Sequence, residues 1–293
     1  MSHAIKIDNL TKYYGKSRGI ENVNLIVPEG TFYGFIGPNG AGKSTTIRTL
    51  LGLIDATSGE AAVLGYDIKK DKNKILSEVG YLPSEVGFYT GMKVSEILKF
   101  SRQLRKSDCK KEADSLCERL QLDTSRKIEE LSFGNRKKVA IVCALQHNPE
   151  LLILDEPTGG LDPLMQKEFF SILRERNEEG ATIFLSSHIL SEIQRNCTHA
   201  AIIREGSIIV SDRVEVLAKT SAKRVSVHGC FDFSTLEGIR DINVSGETSN
   251  FLYAGDINDL ICALSKGSIS DLSISEPDLD EIFLHYYGNE VTI

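Results

Sequence analysis

The chain has 293 residues, of which 41% are hydrophobic and 26% are charged. Such a balance can bury one large core, or a large and a small one, and it excludes disorder as the main state. Lysine and arginine number 34 against 41 aspartate and glutamate residues, which gives a net charge of -7 at pH 7. A net negative chain does not suit general binding to nucleic acid, so we expect no nucleic-acid partner.

Membrane-spanning and export segments are not predicted. The longest apolar run of note is Ala140–Leu145, whereas a bilayer span needs about 20 apolar residues. Residues 1–8 lack the basic and then apolar order of a signal peptide. The six cysteines include no C-x-x-C pair, which favours reduced cytosolic thiols over a zinc or redox site. We expect a cytoplasmic chain that reaches the membrane only through a partner.

The first part of the chain indicates strands followed by one helix. Residues 5–36 are typical of short strands separated by turns, and Gly34–Gly37 closes a buried strand. Apolar residues on one face at helical spacing predict a helix over 43–51. The predicted order is therefore antiparallel N-terminal strands, then a buried strand that leads through a glycine-rich turn into a helix.

The middle of the chain indicates a helical insertion and then a return to alternating strands and helices. Residues 86–150 are rich in helix formers and poor in strand runs. Buried strands are predicted at 151–154 and 181–185, with a helix over 165–176 between them. This alternation predicts an α/β domain built on a mainly parallel sheet.

Near residue 220 the sequence changes to a series of short segments. This change predicts a first domain over 1–220 and a second domain over 221–293. Six short segments there are typical of strand, helix, strand, strand, helix and strand, in the order 224–227, 233–239, 242–244, 250–254, 257–264 and 269–274. That order matches a split βαβ unit. A final helix is predicted over 279–287. We expect a small α+β accessory domain.

A phosphate-binding loop is predicted between the buried strand and the helix at 43–51. The motif G-x-x-x-x-G-K-S/T is matched by Gly37, Pro38, Asn39, Gly40, Ala41, Gly42, Lys43 and Ser44, with Thr45 following. Glycines let backbone N–H groups turn toward phosphate oxygens, and the helix N-terminus adds partial positive charge. We expect Lys43 to contact the β and γ phosphates and Ser44 to bind Mg²⁺. A dinucleotide-binding loop is excluded, because Thr45 stands where its third glycine belongs.

Polar residues also follow the two later buried strands. Asp155 and Glu156 come directly after the strand at 151–154, at the edge where parallel sheets present ligands. We expect Asp155 to bind Mg²⁺ through a water, and Glu156 to be the general base for the water that attacks the γ-phosphate. His188 follows the other strand, where it can hydrogen-bond the γ-phosphate or that water.

With these elements in order, residues 3–220 resemble the ATP-binding subunit of ABC transporters. Leu131–Asn135 is similar to the family signature LSGGQ. In the family this segment reaches across a head-to-tail dimer to the γ-phosphate bound by the other subunit. The resemblance implies that Ser132 and Gly134 make this contact, although Phe133 replaces the first glycine and the glutamine is also replaced.

Three further pieces carry the resemblance. Gly160–Asp162 resembles the D-loop, which implies that Asp162 lies at the nucleotide. Tyr14 resembles the aromatic residue that stacks on adenine. Tyr81–Glu85 stands where the family has its Q-loop, but Ser84 replaces the glutamine that contacts Mg²⁺ there. That contact then falls to Ser84, to Glu85 or to a water.

The resemblance implies an ATP-hydrolysing transport subunit of the P-loop, ABC type that uses ATP and Mg²⁺. Its implied partners are a second ATPase subunit, with a homodimer favoured, and a separate membrane permease. Residues 275–284 resemble the tail of drug, bacteriocin and antibiotic-resistance ATPases that pair with ABC-2 type permeases, which favours export. The chain is then expected on the inner face of the cell membrane.

Two other interpretations stay open. The substitutions at Phe133 and Ser84 are also compatible with a weak or regulatory ATPase half of a heterodimer. A non-transport ABC ATPase that acts on ribosomes or DNA is the other class. Translation-factor types carry two cassettes whereas this chain has one, and the span from Lys43 to Ser132 leaves no room for the long coiled coil of the DNA-repair types.

Overall fold

The computed structural model describes residues 2–105, 108–218, 223–230 and 236–275. The chain divides into two compact units, Met1–Val214 and Glu215–Ile293. The amide of Val214 donates to the carbonyl of Thr198 at 3.0 Å. This bond holds the end of the first unit in place, so the division comes slightly before the boundary expected near residue 220.

Strands and helices alternate through most of residues 3–218, and the last of these helices begins at Val214, where the first unit ends. In chain order they are β1 (His3–Tyr14), β2 (Ser17–Pro28), β3 (Phe32–Ile36), α1 (Lys43–Leu50), β4 (Ser58–Val63), β5 (Tyr66–Asp67), α2 (Lys72–Glu78), β6 (Val79–Leu82), α3 (Val94–Arg105), α4 (Lys110–Arg119), α5 (Phe133–Leu145), β7 (Leu151–Asp155), α6 (Pro163–Glu178), β8 (Thr182–Ser187), α7 (Leu190–Asn196), β9 (His199–Arg204), β10 (Ser207–Arg213) and α8 (Val214–Ala218). A short 3-10 helix, Ile128–Glu130, precedes α5. The α/β class and the helical insertion are confirmed.

The N-terminal strands form an antiparallel sheet in the order β2-β1-β4-β5. β1 and β2 each have 12 residues, longer than the short strands predicted. Asn9 and Asn22 both have a φ of 47°, and the pairing register shifts between Ile7 and Leu10. These bulges interrupt the alternation of apolar and polar residues, which is why the sequence suggests several short strands.

The central sheet has the order β10-β9-β3-β8-β7-β6. β3, β6, β7, β8 and β9 pair in parallel, and β10 is antiparallel to β9. β8 lies between β3 and β7, with Ile36 opposite Ser187 and Asp155 opposite Ser186. The three segments that carry the predicted site residues therefore leave the sheet side by side, at one edge.

The core of this unit explains why the central strands are continuous apolar runs. Every residue of β3, β7 and β8 is buried. Phe35, Ile47, Ile153 and Phe184 belong to one cluster and are fully buried. A parallel strand that is covered on both faces cannot show the alternating pattern of a half-exposed strand. The packed strands give the edge loops a fixed base.

The helices of the insertion pack on one another and form ion pairs with α6. α3 and α4 each pack on α5. Arg119 of α4 lies 2.7 Å from Glu168 and 2.5 Å from Glu175, both on α6, and Arg176 of α6 pairs with Glu112 of α4. Among the residues described, no helix is long and apolar enough to cross a membrane.

The second unit is an antiparallel sheet with one described helix after α8. Its elements are β11 (Lys223–Cys230), β12 (Ile239–Ser245), β13 (Thr248–Tyr253), α9 (Ile257–Leu264) and β14 (Ser268–Ser275), with sheet order β12-β13-β11-β14. Val225, Val227, Phe251 and Leu260 belong to its core. A helix is predicted over 233–239, and for the described residues, 236–239, this prediction is wrong. Gly238 has a φ of 90° in a turn, and β12 begins at Ile239. The predicted helix at 279–287 lies outside the described residues.

Candidate functional site

The phosphate loop is a turn that requires glycine at several positions. It runs from the end of β3 to the start of α1, where Gly42 is the N-cap residue. Gly40 and Gly42 have φ of 82° and 108°, which side chains disfavour. A Cβ on Gly37 would lie 2.6 Å from the carbonyl oxygen of Ile203, so a side chain has no space there. A concave loop in front of a helix N-terminus suits phosphate.

Lys43 is enclosed by this loop. Its side chain is only 4% exposed, and its ammonium donates to the carbonyls of Gly37 at 2.6 Å and Pro38 at 3.1 Å. The same Nζ lies 3.1 Å from Oε1 of Glu156. The loop therefore holds a full positive charge against the carboxylate that follows β7, two strands away in the sheet.

Glu156 connects the phosphate loop to the residue that follows β8. Its Oε2 lies 3.4 Å from Nδ1 of His188. Burial raises the pKa of Glu156, but its pairing with Lys43 and His188 outweighs burial and leaves that pKa below the ordinary value. The carboxylate is therefore ionised at neutral pH, which is the state that a general base needs.

Asp155 is fully buried at the end of β7. Its Oδ1 accepts a hydrogen bond from the Ser186 hydroxyl at 2.7 Å, while its Oδ2 has no hydrogen-bond partner within the described part of the chain. A buried carboxylate oxygen without a partner is costly. A hydrated Mg²⁺, which keeps several waters, would satisfy that oxygen. The free oxygen of Asp155 therefore fits this ion, and the Ser44 hydroxyl is an oxygen ligand of the type that the ion takes.

The predicted adenine-stacking residue lies near the start of α1. Tyr14 ends β1 and is 48% exposed. A Cβ on Gly19 would lie 3.0 Å from Cε2 of Tyr14 and 3.1 Å from the methyl group of Thr45. Because Gly19 has no side chain, the Tyr14 ring and the Thr45 methyl group can both lie close to its backbone. Nζ of Lys12 lies 5.3 Å from the Tyr14 ring centroid, a favourable cation–π distance.

Two of the residues predicted to contact nucleotide cap helices in this chain. Ser132 is the N-cap of α5, and its Oγ accepts from the amide of Asn135 at 3.3 Å. Asp162 is the N-cap of α6, and its Oδ1 accepts from the amides of Leu164 and Met165 at 3.1 and 3.0 Å. These side chains are joined to the starts of their own helices, and not to the cluster of Lys43, Glu156 and His188.

Phe133 packs against the D-loop segment of the same chain. A Cβ on Gly160 would lie 2.3 and 2.4 Å from the ring carbons Cδ1 and Cε1 of Phe133. Gly160 also has a φ of 82°. A Cβ on Gly134 would lie 2.5 Å from the carbonyl oxygen of Gly160. Glycine at position 160 therefore makes room for the phenylalanine that replaces the first glycine of the signature.

Ser84 is engaged through its backbone. Its carbonyl and that of Pro83 accept hydrogen bonds from Nζ of Lys137, at 3.1 and 3.0 Å. The same ammonium donates to the carbonyl of Glu156 at 3.3 Å. Burial lowers the pKa of Lys137 to about 8, although Asp155 and Glu156 oppose this effect. A buried lysine thus joins the Q-loop segment to the predicted base.

Lys137 and Ser186 are the site residues that the sequence analysis missed. A signal for Lys137 exists, because it shares a helix face with Ile141 and Ala144, which are both buried. A lysine at such a position needs partners inside the protein. Ser186 has no comparable signal, since its contact with Asp155 depends on the pairing of β7 with β8.

Comparisons with known proteins show which family the chain belongs to. The family described as ABC transporter matches residues 20–159. The chain is 41% identical over 229 residues to the bacitracin transport ATP-binding protein BcrA of Bacillus licheniformis, covering 76% of this chain and 74% of that protein. It is 31% identical to the linearmycin resistance ATP-binding protein LnrL of Bacillus subtilis, covering 97% of this chain and 98% of that protein.

Solved structures indicate the same family. The structure of an ATP-binding subunit of an ABC transporter has a TM-score of 0.70 and 29% identity, over 73% of this chain and 91% of that one. The dimeric structure of MJ0796, a bacterial ABC transporter cassette, has a TM-score of 0.63 and 26% identity, over 72% of this chain and 98% of that one. The chain belongs to the ATP-binding subunits of ABC transporters and is an ATP hydrolase of that family.

Proposed function

We propose that two copies of this chain drive a separate ABC-2 type permease in an exporter at the inner face of the cell membrane. The names of the relatives, which refer to bacitracin transport and linearmycin resistance, support a drug or antibiotic as the cargo. The observation that carries the hydrolytic part is the series of contacts from Lys43 through Glu156 to His188. These contacts bring the Lys43 ammonium, the Glu156 carboxylate and the His188 imidazole together, which supports their roles as phosphate-binding cation, base and second polar group.

In this proposal each residue of the cluster has one role. Lys43 neutralises the β and γ phosphates, and Ser44 and Asp155 hold Mg²⁺, Asp155 through a water. Mg²⁺ supplies charge neutralisation on the phosphate oxygens when it is bound. When nucleotide binds, the ion pair between Lys43 and Glu156 is given up and Lys43 contacts the phosphates. Glu156 then takes a proton from the attacking water. His188 donates a hydrogen bond to the γ-phosphate or positions that water.

The second copy completes the site from the opposite side. The dimeric structure of MJ0796 supports a dimer of cassettes. Two apolar side chains next to the caps are exposed, Leu164 by 76% and Phe133 by 52%, as expected for residues that a partner covers. In the head-to-tail arrangement, Ser132, Gly134 and Asp162 of one copy face the nucleotide that is held by the other.

A groove in the first unit suits a helical segment of the permease. Its volume is about 840 Å³, and its apolar lining comes from α2, α3 and the segment after β6: Leu76, Phe88, Tyr89, Ile97, Phe100 and Leu104. Tyr89 and Leu104 are 72% and 68% exposed. An amphipathic helix on the cytoplasmic side of the permease would bury these side chains. The lining includes Gly87, which follows Ser84 closely in the chain, and this supports a link between the occupant and the Q-loop segment.

The test of the hydrolytic role is Glu156→Gln. We expect the variant to bind ATP with nearly unchanged affinity and to turn it over at least about 100-fold more slowly, the scale of general-base loss. Turnover is measured by phosphate release and binding by calorimetry. Glu118→Gln, on the exposed side of α4, makes the same chemical change as a control. Unchanged turnover in Glu156→Gln would remove Glu156 from the mechanism.

The test of the docking groove is Leu104→Asp, measured with the permease in vesicles. We expect the variant to keep the ATPase activity of the isolated chain and to lose stimulation by the permease. Ile26→Asp is the matched control, because Ile26 is an exposed apolar residue of β2, outside the groove. Equal stimulation of Leu104→Asp and the unchanged chain would place the permease elsewhere.

A regulatory half of a heterodimer is the second candidate. It is favoured by the departures from the family signature, Phe133 and Asn135, and by Ser84 in the Q-loop segment. Such a subunit would bind ATP but would hydrolyse it only slowly alone. The dependence of activity on the concentration of the single chain separates the two candidates.

A further inference from the structure

Lys137 is a buried charge with an unusual set of partners. It lies on α5, the helix that starts at Phe133, and it is fully buried. Its ammonium has three N–H donors, and three backbone carbonyls accept from it: those of Pro83, Ser84 and Glu156. Every donor of the ammonium is therefore used.

The cost of this arrangement indicates a role beyond filling space. Burying an ammonium group is expensive, and an apolar side chain of similar volume fills a core more cheaply. The nearby carboxylates of Asp155 and Glu156 offset part of that cost. All three acceptors of Lys137 belong to segments of the site, and two of them are consecutive residues of the Q-loop segment.

The backbone of Glu156 shows what Lys137 holds in place. Glu156 has a φ of 45°, a left-handed conformation that is uncommon for a residue with a side chain. Its amide donates to the carbonyl of Ser186 at 3.1 Å, and its carbonyl accepts from Lys137 at 3.3 Å. Such a conformation persists only when surrounding bonds impose it. Lys137 and Ser186 secure the two sides of this residue, and its side chain then points to Lys43 and His188.

We propose that Lys137 is a positioning residue for ATP hydrolysis, which fixes the backbone of Glu156 and joins it to the Q-loop segment at Pro83 and Ser84. The inference rests on the proposed role of Glu156 as the general base. In the family the contact between this segment and the nucleotide falls to a glutamine side chain, and here position 84 is serine. The ammonium of Lys137 supplies a connection through the backbone instead. Movement of α5 is then transmitted to the base and to the Q-loop segment together.

The experiment is a double-mutant cycle of Lys137→Met with Glu156→Gln. Methionine keeps the length of the side chain and removes its donors. In the otherwise unchanged chain we expect Lys137→Met to lower kcat about 10- to 100-fold, since small misplacement of a reacting group has effects of this size. KM for ATP should change little, because Lys43 and the phosphate loop are untouched. Lys111→Met, on the exposed side of α4, is the control for loss of one lysine.

The Glu156→Gln background gives the readout that a merely structural role does not produce. If Lys137 acts through Glu156, then Lys137→Met removes little of the residual activity once the base is absent, because residues that act as a unit are not additive. An equal fractional loss of kcat in both backgrounds would overturn the proposal. So would a kcat within about twofold of the unchanged chain, a factor worth under 1 kcal/mol.

Two further arms keep the outcome clear. If Lys137→Met does not fold, as judged by its thermal melting, Lys137→Gln takes its place. Glutamine keeps two N–H donors without the charge, and we expect it to show a smaller loss of kcat with the same non-additivity. If Glu156→Gln alone keeps full turnover, the proposed base has failed. If it loses turnover while the Lys137 variants do not, only the positioning role has failed.

Discussion

The phosphate loop and the paired signature and Q-loop segments show two different ways to build one nucleotide site. The phosphate loop depends on backbone conformation, with glycine required at positions 37, 40 and 42. The signature and Q-loop segments depend on contacts with neighbouring side chains, and there the chain departs from the family pattern at Phe133 and Ser84. Few residues other than glycine can adopt the backbone conformation of the phosphate loop. A contact made by one side chain can instead be replaced when a neighbouring residue changes with it.

The compensating neighbours are identifiable. Gly160 gives space to the ring of Phe133, and Lys137 binds the backbone of Ser84 where the family has a glutamine side chain. The phosphate loop therefore keeps the family sequence, whereas the signature and Q-loop segments keep their contacts through changed residues. Substitutions in these regions test this difference.

The largest effect is expected in the phosphate loop, from Lys43→Ala. The variant removes a charged hydrogen-bond donor, so nucleotide affinity should fall about 10- to 100-fold and hydrolysis should be lost. Calorimetry with ATP measures the affinity, and Lys111→Ala is the control. Equal nucleotide binding by Lys43→Ala and the unchanged chain would mean that the loop does not hold phosphate.

The next effect concerns the metal, from Asp155→Asn. This variant keeps the shape of the side chain but removes the charge on a buried carboxylate, one of whose oxygens has no partner in the described residues. We expect hydrolysis to fall at least about tenfold and to need more Mg²⁺ for half-maximal activity, since the protein holds this ion through few groups. The measurement is a titration of the ATPase rate with MgCl₂. An unchanged Mg²⁺ dependence would exclude Asp155 as a ligand.

The packing of the signature on the D-loop is tested by Gly160→Ala. The added methyl group would clash with the ring of Phe133, and φ of 82° adds backbone strain. We expect a loss of about 2–3 kcal/mol in the free energy of unfolding. In a Phe133→Gly background only the backbone part should remain, about 1–2 kcal/mol. Urea denaturation of the four proteins measures both, and equal losses would show that Phe133 makes no difference.

A smaller effect is expected at the adenine side, where Tyr14→Ala and Tyr14→Phe differ only in the aromatic ring. Loss of stacking should weaken ATP binding about tenfold in the alanine variant, because stacking on an aromatic ring contributes about 1–3 kcal/mol per base. The phenylalanine variant should bind ATP as the unchanged chain does. Equal loss of affinity in both variants would refute stacking by Tyr14.

The smallest effect on ATP binding and hydrolysis is expected at His147, where the change is a pH dependence of stability at the end of α5. Burial, with a contribution from Arg105, lowers the pKa of His147 from 6.5 to about 4. As the pH falls, the unfolded chain binds a proton at His147 before the folded chain does. The free energy of unfolding is therefore unaffected by His147 above pH 6.5 and decreases as the pH falls toward 4. His147→Leu should reduce that loss by about 1–2 kcal/mol. Urea midpoints at pH 7.5 and 5, each compared with the unchanged chain, measure it, and identical pH slopes would contradict the assignment.

Local patterns predicted the elements that lie close together in the sequence. The strand, turn and helix around Lys43 follow from apolar spacing and the glycine motif, and Asp155 and Glu156 follow from the end of a buried strand. The lengths of β1 and β2 could not be predicted, because bulges at Asn9 interrupt the pattern. The contacts of Lys137 and Ser186 depend on segments that are distant in the sequence, and no local pattern reports such pairing.

In the proposed dimer, hydrolysis needs the phosphate loop of one copy and the signature segment of another. The most direct measurement is the ATP hydrolysis rate of the purified chain over a wide range of protein concentration, with Glu156→Gln as the control. We expect a specific activity that rises with concentration and falls at least about 100-fold in the variant. A specific activity that does not depend on concentration, or that Glu156→Gln leaves unchanged, would contradict it.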